Sequence, residues 1–206
     1  MILPIAILSA MPAELVGFPE DEYSDILYTG VGKVNATRAI TEHANHLKAL
    51  NVSVINYGTA AAVNDNAEVG KLYEVTKYVQ RDMDVTGLGF MKHQTPFESP
   101  NGMVIPYRTE PPSLLFNPIG KNYTCGTGDS FVDNIEDETE YIDVFDMEAY
   151  ALAKVCSYYY VPFISFKYIT DNADEHSVGD WNDNLGKGVI QFKERVLDLL
   201  TIEEEF

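Results

Sequence analysis

Runs of apolar residues alternate with segments of helical periodicity along most of this chain. The first run, Ile2 to Ser9, is continuously apolar, which is typical of a strand covered on both faces. ILYTG (26–30) predicts a second strand, and the helix expected after it carries apolar and small residues at helical spacing: Val34, Thr37, Ile40, Ala44 and Leu47. VSVINYG (52–58) and the loosely alternating segment 69–80 predict two further strands.

The second half of the chain resumes this alternation after a proline-rich stretch. Residues 81–120 hold six of the ten prolines and little periodicity, so we expect a loop with short pieces of structure there. Beyond it, the pattern predicts strands at 122–128, 140–146 and 161–170, and helices at 147–160 and from about Leu185 to Ile202. The small-residue segment TAAAV (59–63) and the polar segment 171–183 are predicted to be loops.

Strands of buried type that alternate with helices predict an α/β fold around a largely parallel sheet. A length of 206 residues with 46% hydrophobic content suits one domain, 1–206, with a sizeable core. Ligands of such sheets bind beyond the carboxyl ends of the strands. We therefore expect a functional site where polar residues and glycines follow the strands, at Glu14, Gly30, Gly32, Thr59 and Asp171.

The charge of the chain excludes several classes of partner. The formal net charge is −18 and only four arginines are present, so a nucleic acid or an anionic membrane surface would be repelled. The four histidines are scattered, and we expect no metal and no cofactor. Cys125 and Cys156 are expected to be reduced thiols. The first apolar run lacks a basic leader and is too short to span a bilayer, so we expect a cytoplasmic protein.

Three acids stand out beside apolar segments: Glu14, Glu148 and Asp171. Each has an ordinary structural interpretation. Glu14 could be a solvated acid near a helix N-terminus, and Asp171 could form an Asx turn. Glu148 could face a helix dipole, with Asp146 as the N-cap. Glu148 is the hardest to explain in this way, because its neighbours are apolar and a buried carboxylate needs hydrogen-bond donors, such as a sugar diol.

The glycine stretch TGVGKVNAT (29–37) lies between a predicted strand and a predicted helix. It lacks the third glycine of a dinucleotide fingerprint and the spacing of a P-loop, so neither dinucleotide nor triphosphate binding is indicated. A tight turn whose amides line a small-molecule pocket is the better interpretation.

Seven sequence blocks occur in the order seen in the nucleoside phosphorylase/nucleosidase superfamily, and they cover most of the chain. They are SAMPAEL (9–15), TGVGKVNAT (29–37), INYGTAA (55–61), RDMDVTGLGF (81–90), GTGDSFV (126–132), FDMEAYALAKVC (145–156) and VPFISFKYITDNAD (161–174). The chain most resembles the methylthioadenosine/S-adenosylhomocysteine nucleosidase branch. The resemblance implies a three-layer α/β/α fold with a central twisted, mixed but largely parallel sheet. It also implies a purine nucleoside as the small-molecule substrate, and a homodimer.

The resemblance further implies a role for each acid in cleaving an N-glycosidic bond through an oxocarbenium-like state. Asp171 would protonate or hydrogen-bond N7 of the purine, which requires a carboxyl that carries a proton when substrate binds. Glu14 would orient and deprotonate the attacking water. Glu148 would bind the ribose hydroxyls, with Met147 packed under the sugar. This parallels glycoside hydrolysis, where opposed acids protonate the leaving group and activate water.

The other contacts implied by the resemblance surround the base and the 5′ substituent. Phe131 would stack on the purine, and backbone groups of Phe131 and Val132 would read its edge. Trp181 falls where the family places an aromatic residue over the 5′ substituent, and a tryptophan that only packs a lid is the alternative interpretation. Thr59 and Met11 complete the predicted substrate-binding set.

Water rather than phosphate is the predicted nucleophile. Phosphorylases of the superfamily typically hold phosphate with arginines, and neither SAMPAEL (9–15) nor INYGTAA (55–61) contains one. A pocket with three acids and no arginine favours a neutral nucleophile. A purine nucleoside phosphorylase and a nucleoside-binding homologue without turnover remain alternatives.

Three departures from the nucleosidase pattern leave the substrate open. The segment between Leu15 and Ile26 is short, TAAAV (59–63) replaces a serine/glycine sequence, and Lys167 stands where an arginine is common. A plain nucleoside, a deoxynucleoside and a nucleotide are therefore alternatives to a thioether nucleoside.

Overall fold

The computed structural model describes residues 5–19, 24–97, 105–106, 122–135 and 141–202. Strands β1 to β8 span Ile5–Ser9, Ser24–Tyr28, Ser53–Ala62, Leu72–Gln80, Ile105–Pro106, Tyr123–Thr127, Val144–Asp146 and Phe163–Asp171. Helices α1 to α4 span Lys33–Ala49, Ala149–Tyr159, Ser177–Asn184 and Val189–Ile202, and a short 3-10 helix, Pro12–Leu15, follows β1. None of these helices is long and apolar enough to cross a membrane.

Strand β3 organises the sheet because it has partners along both edges. One edge pairs in parallel with β1 through residues 53–56, and then antiparallel with β7 through Ala61 and Ala62. The other edge pairs in parallel with β8. Strands β7, β6, β4 and β8 continue the pairing until β8 returns to β3, so these five strands close into a ring.

Helices cover the sheet on both faces. On one face, Ile40 of α1 and Leu152 of α2 belong to the same buried cluster. On the other face, Phe192 of α4 packs against Tyr57 and Phe166, with ring centroids 4.3 and 6.0 Å away. Five of the eight strand pairings are parallel, so the predicted α/β fold with a mixed, largely parallel sheet is confirmed. Cys125 and Cys156 are separate buried thiols, as expected.

Two of the predicted loops are wrong. Segment 59–63 instead continues β3 as far as Ala62, because these small residues pair with β8 on one side and with β7 on the other. Segment 171–183 contains most of α3, a short, largely polar helix whose only buried residue is Ser177, so its composition resembles that of a loop. Within the proline-rich stretch, residues 105–106 form β5 at the edge of β4. The predicted strand start at Ile2 lies outside the described residues.

The carboxyl ends of two groups of strands converge on one region. Strands β1, β3 and β8 run parallel, and so do β4, β6 and β7. Strand β7 meets only the last residues of β3, in antiparallel orientation, which brings the ends of the two groups together. The segments that follow these ends form the candidate site.

Candidate active site

A cavity of about 240 Å³ lies beyond the converging strand ends. It is lined by all nine residues predicted for catalysis or substrate binding: Met11, Glu14, Thr59, Phe131, Val132, Met147, Glu148, Asp171 and Trp181. These residues lie far apart along the chain, and the strand order is what brings them together. Their chemical roles stay predictions.

Glu14 lies in the 3-10 helix after β1 and is buried, with hydrogen-bond donors on both carboxylate oxygens. Oε2 accepts from the hydroxyl of Ser9 (2.6 Å) and the amide of Ala10 (3.1 Å). Oε1 accepts from the amide and the hydroxyl of Thr59, at 2.8 and 3.0 Å. Glu14 is therefore not a solvated surface acid, because four donors fix its orientation inside the protein.

Asp171 is the last residue of β8 and is also buried. Its Oδ2 accepts from the hydroxyl of Thr170 (2.8 Å), and its Oδ1 accepts from the amide of Ala173 (3.1 Å). The second bond is an Asx turn, in which Ala173 adopts a left-handed conformation with φ of 54°. Because the same carboxyl lines the cavity, the turn and an interaction with a ligand are compatible.

Asp146 and Glu148 precede α2 and make different contacts. Oδ2 of Asp146 accepts from the amide of Ala149, the first residue of α2, at 2.8 Å, but Glu148 occupies the N-cap position, so the alternative with Asp146 as the N-cap is wrong. Glu148 instead reaches the glycine loop, where Oε1 accepts from the amide of Gly32 at 2.8 Å. Gly32 has a φ of 91°, a conformation that favours glycine and produces the predicted tight turn. Burial, and then the negative charge of Asp146, raise the pKa of Glu148 to about 8.

A buried ion pair that the sequence pattern does not predict supports the start of α2. Nζ of Lys167, on β8, lies 2.7 Å from Oδ2 of Asp146, and both side chains are almost fully buried. Burial alone would lower the pKa of Lys167, but the charge of Asp146 outweighs it and the pKa is raised. Burial would raise the pKa of Asp146, but the charge and hydrogen bond of Lys167 lower it. The one sequence signal is a lysine inside the apolar strand FISFKYIT (163–170).

Gly58 allows this ion pair and Glu14 to approach the same point of β3. A Cβ atom at position 58 would lie 3.1 Å from Nζ of Lys167 and 3.3 Å from Oε1 of Glu14. Both separations are shorter than most contacts of real Cβ atoms. The absence of a side chain therefore lets the ammonium group and the carboxylate share this part of the site.

Arg81 also lines the cavity, so the prediction of a pocket without arginine is wrong. Parallel pairing of β4 with β6 places Arg81 beside Thr127, at the strand ends that form the site. Its Nη2 donates to the carbonyl of Ser130, and its guanidinium carbon lies 5.1 Å from the ring centroid of Phe145. Arg81 thus holds the loop that carries Phe131 close to the end of β4.

An aromatic pair forms one wall of the cavity. Phe131 is about half exposed, and its ring forms a T-shaped pair with that of Trp181, with centroids 6.4 Å apart and planes at 78°. The indole Nε1 of Trp181 donates to the hydroxyl of Thr59 at 3.2 Å. A partly exposed aromatic face beside buried acids is suited to bind a planar base with polar edges.

The raised pKa of Glu148 predicts how its charge affects stability. The folded protein keeps this proton up to about pH 8, whereas a carboxyl in the unfolded chain loses it near 4.5. The folded chain therefore binds more protons between these values, and Glu148 becomes progressively destabilising as the pH rises. We expect the free energy of unfolding of Glu148→Gln, minus that of the wild type, to increase from pH 4.5 to 8 in urea titrations. A difference that stays flat between pH 4.5 and 8 would contradict the raised pKa.

Sequence comparisons identify relatives along most of the chain. The sequence profile of the Phosphorylase superfamily matches residues 25–201. The 5′-methylthioadenosine/S-adenosylhomocysteine nucleosidase of Anoxybacillus flavithermus is 29% identical over 182 residues, which are 83% of this chain and 77% of that protein. The protein of the same name from Haemophilus ducreyi is 32% identical over 165 residues, 74% of this chain and 68% of that protein.

Solved structures share the fold over almost the whole chain. A mutant 5′-methylthioadenosine/S-adenosylhomocysteine nucleosidase of Helicobacter pylori, with 5′-methylthioadenosine in its active site, has a TM-score of 0.78 at 22% identity and covers 98% of this chain and 100% of that chain. Futalosine hydrolase of Helicobacter pylori has a TM-score of 0.77 at 22% identity and covers 98% of each chain. At this level of identity, both likenesses concern the fold alone.

Proposed function

Because this chain belongs to the Phosphorylase superfamily, we propose that its cavity hydrolyses an adenine nucleoside of the methylthioadenosine/S-adenosylhomocysteine type. The protein is a nucleosidase, an enzyme that hydrolyses N-glycosidic bonds, and the proposed products are free adenine and the sugar. The observation that carries the proposal is the convergence of three buried acids, Glu14, Glu148 and Asp171, on one cavity.

The base end of the reaction is assigned to Asp171 and Phe131. Phe131 offers a partly exposed ring on which a purine can stack. Asp171 is proposed to protonate or hydrogen-bond N7 while the bond between N9 and C1′ breaks. The electron pair of that bond stays with the purine, so a proton at N7 makes the base a better leaving group. The Asx turn at Ala173 supports this role because it holds the Asp171 side chain in one orientation.

The sugar end is assigned to Glu14 and Glu148. Glu14 is proposed to accept a proton from the water whose oxygen bonds to C1′, and its four donors support a fixed orientation for that step. Glu148 is proposed to bind the ribose hydroxyls. The ribose hydroxyls would donate hydrogen bonds that favour the ionised form of Glu148. This form places negative charge beside the developing oxocarbenium ion. Met147 lines the cavity next to it and would pack under the sugar.

Water is favoured over phosphate as nucleophile by the contacts of two neighbouring cations. Lys167 is paired with Asp146, and Arg81 donates to the carbonyl of Ser130. A phosphate dianion would have to compete with Asp146 for Lys167 or with the carbonyl of Ser130 for Arg81. The carboxylates of the site would also repel it. The arginine at the cavity therefore does not by itself favour a phosphorylase.

The decisive experiment measures adenine release from 5′-methylthioadenosine, S-adenosylhomocysteine, adenosine and 5′-deoxyadenosine, with and without inorganic phosphate. We expect release in phosphate-free buffer at the same rate as with phosphate. We also expect free sugar as the second product, identified by mass spectrometry. Strict dependence on phosphate with formation of a sugar 1-phosphate would establish a phosphorylase instead. Binding without release would establish a nucleoside-binding homologue, and the preferred 5′ group would identify the substrate.

Several broader features stay predictions. We propose that the chain is one nucleosidase-like domain, 1–206, and that it forms a homodimer in the cytoplasm. The side chains of Tyr158 and Tyr160 are each 79% exposed, and such aromatic surface supports a subunit contact.

A further inference from the structure

A hydrogen-bond chain of defined direction connects α3 to Glu14. Nε1 of Trp181 lies 3.2 Å from Oγ1 of Thr59, which lies 3.0 Å from Oε1 of Glu14. An indole nitrogen can only donate, and a hydroxyl group has a single proton. Thr59 therefore accepts from Trp181 and donates its own proton to Glu14.

We propose that Trp181 is a positioning residue for hydrolysis, which acts on Glu14 through the hydroxyl of Thr59. This inference rests on the proposed function, in which Glu14 activates water. Without the indole N–H group, the Thr59 hydroxyl is free to rotate and to donate elsewhere. Oε1 would then keep the amide of Thr59 as a donor but lose its second fixed donor, and the carboxylate would be held less firmly toward the water. The indole thus does more than cover the substrate.

The contacts of α3 support this role because they hold the indole in place. Nδ2 of Asn184 donates to the carbonyl of Thr170 at 2.8 Å, which ties the end of the helix to the end of β8. At the other end, Oγ of Ser177 accepts from the amide of Asp174 at 2.8 Å. The ring of Trp181 also packs against that of Phe131 in a T-shaped arrangement. The helix therefore connects the proposed base-binding ring with the proposed water-activating acid.

Trp181 is the only tryptophan in the chain, so an analogue supplied in place of tryptophan alters this residue alone. 3-Benzothienylalanine keeps the shape of the indole and replaces its N–H group with sulfur. We expect kcat for adenine release to fall about fivefold, the change that corresponds to one lost neutral hydrogen bond. KM should be unchanged, because the apolar surface that contacts substrate is preserved. An unchanged kcat would overturn the proposal.

Thr59 variants distinguish positioning from simple packing. Thr59→Val keeps the size of the side chain and removes the hydroxyl, so the analogue should cause no further loss of kcat in this background. Thr59→Ser keeps the hydroxyl and should retain the fivefold sensitivity expected for the wild type. If the analogue lowers kcat equally in wild type and Thr59→Val, Trp181 acts by packing and the proposal is wrong.

A spectroscopic measurement separates failure of this inference from failure of the proposed function. The single tryptophan gives one indole N–H signal in a ¹H–¹⁵N spectrum. We expect this proton to exchange slowly with solvent in the wild type and faster in Thr59→Val. Rapid exchange in both proteins would show that the bond to Thr59 is absent, whether or not adenine is released. Slow exchange without adenine release would instead count against the proposed function and with it the role in hydrolysis.

Discussion

Replacing Glu14 with glutamine is expected to slow adenine release about 10²–10⁴-fold, the usual range for loss of a general base. The variant lacks the group proposed to take a proton from water. Its NH₂ group would also point at existing donors, either Ser9 and Ala10 on one side or Thr59 on the other. Because an amide nitrogen cannot accept these bonds, the side chain would lose its fixed orientation as well. Steady-state adenine release with 5′-methylthioadenosine measures the effect.

Two further variants make the result for Glu14 interpretable. Glu194→Gln changes an exposed glutamate of α4 in the same way and should keep the wild-type rate. Glu14→Ala leaves room for a small carboxylate, so added formate should restore part of the lost activity. Full activity of Glu14→Gln, or of Glu14→Ala without formate, would show that another group activates the water.

Replacing Lys167 with methionine should lower the free energy of unfolding by about 3–5 kcal/mol, as expected when one partner of a buried ion pair is removed. Methionine can fill much of the space of the lysine stem, so the main loss is electrostatic. Asp146 would keep its bonds from the hydroxyl of Thr127 (2.5 Å) and the amide of Ala149 (2.8 Å), but its charge would lose its ion-pair partner. Urea denaturation followed by circular dichroism measures the loss.

A second substitution tests whether that loss comes from the orphaned charge. In the double variant Lys167→Met with Asp146→Asn, neither charge remains, and most of the lost stability should return. Lys193→Met removes an exposed lysine from α4 and should change the free energy of unfolding by less than about 0.5 kcal/mol. Equal losses for the single and the double variant would mean that packing of the lysine stem, not charge, determines the effect.

Residues at strand ends were the most predictable part of the site. Glu14 and Asp171 follow strands whose apolar runs are plain in the sequence, and the rule that ligands bind beyond such ends indicates both. The individual roles came from the resemblance to known nucleosidases, because spacing along a chain does not distinguish a base from an acid. The prediction that the chain is an enzyme of this superfamily is confirmed by the matching profile and relatives.

The sequence does not reveal contacts between residues that only the pairing of strands in the folded protein brings together. Lys167 and Asp146 are distant in sequence and meet because β8 and β7 pair with opposite edges of β3. Arg81 reaches the cavity only because β4 and β6 end together. Helix α3 was missed for another reason: it has eight residues, most of them polar, and Ser177 is its only buried residue, so its sequence resembles that of a polar loop.

The closed ring of strands has a consequence for how the protein is made. Strands β3 and β4 are neighbours along the chain, yet β8 lies between them, so both keep an unpaired edge until residues 163–171 leave the ribosome. Asp171 belongs to that late strand. A nascent chain therefore closes its ring of strands and gains its proposed acid in the same step. A product truncated before β8 would be inactive, and its unpaired strand edges would be open to pairing with other chains.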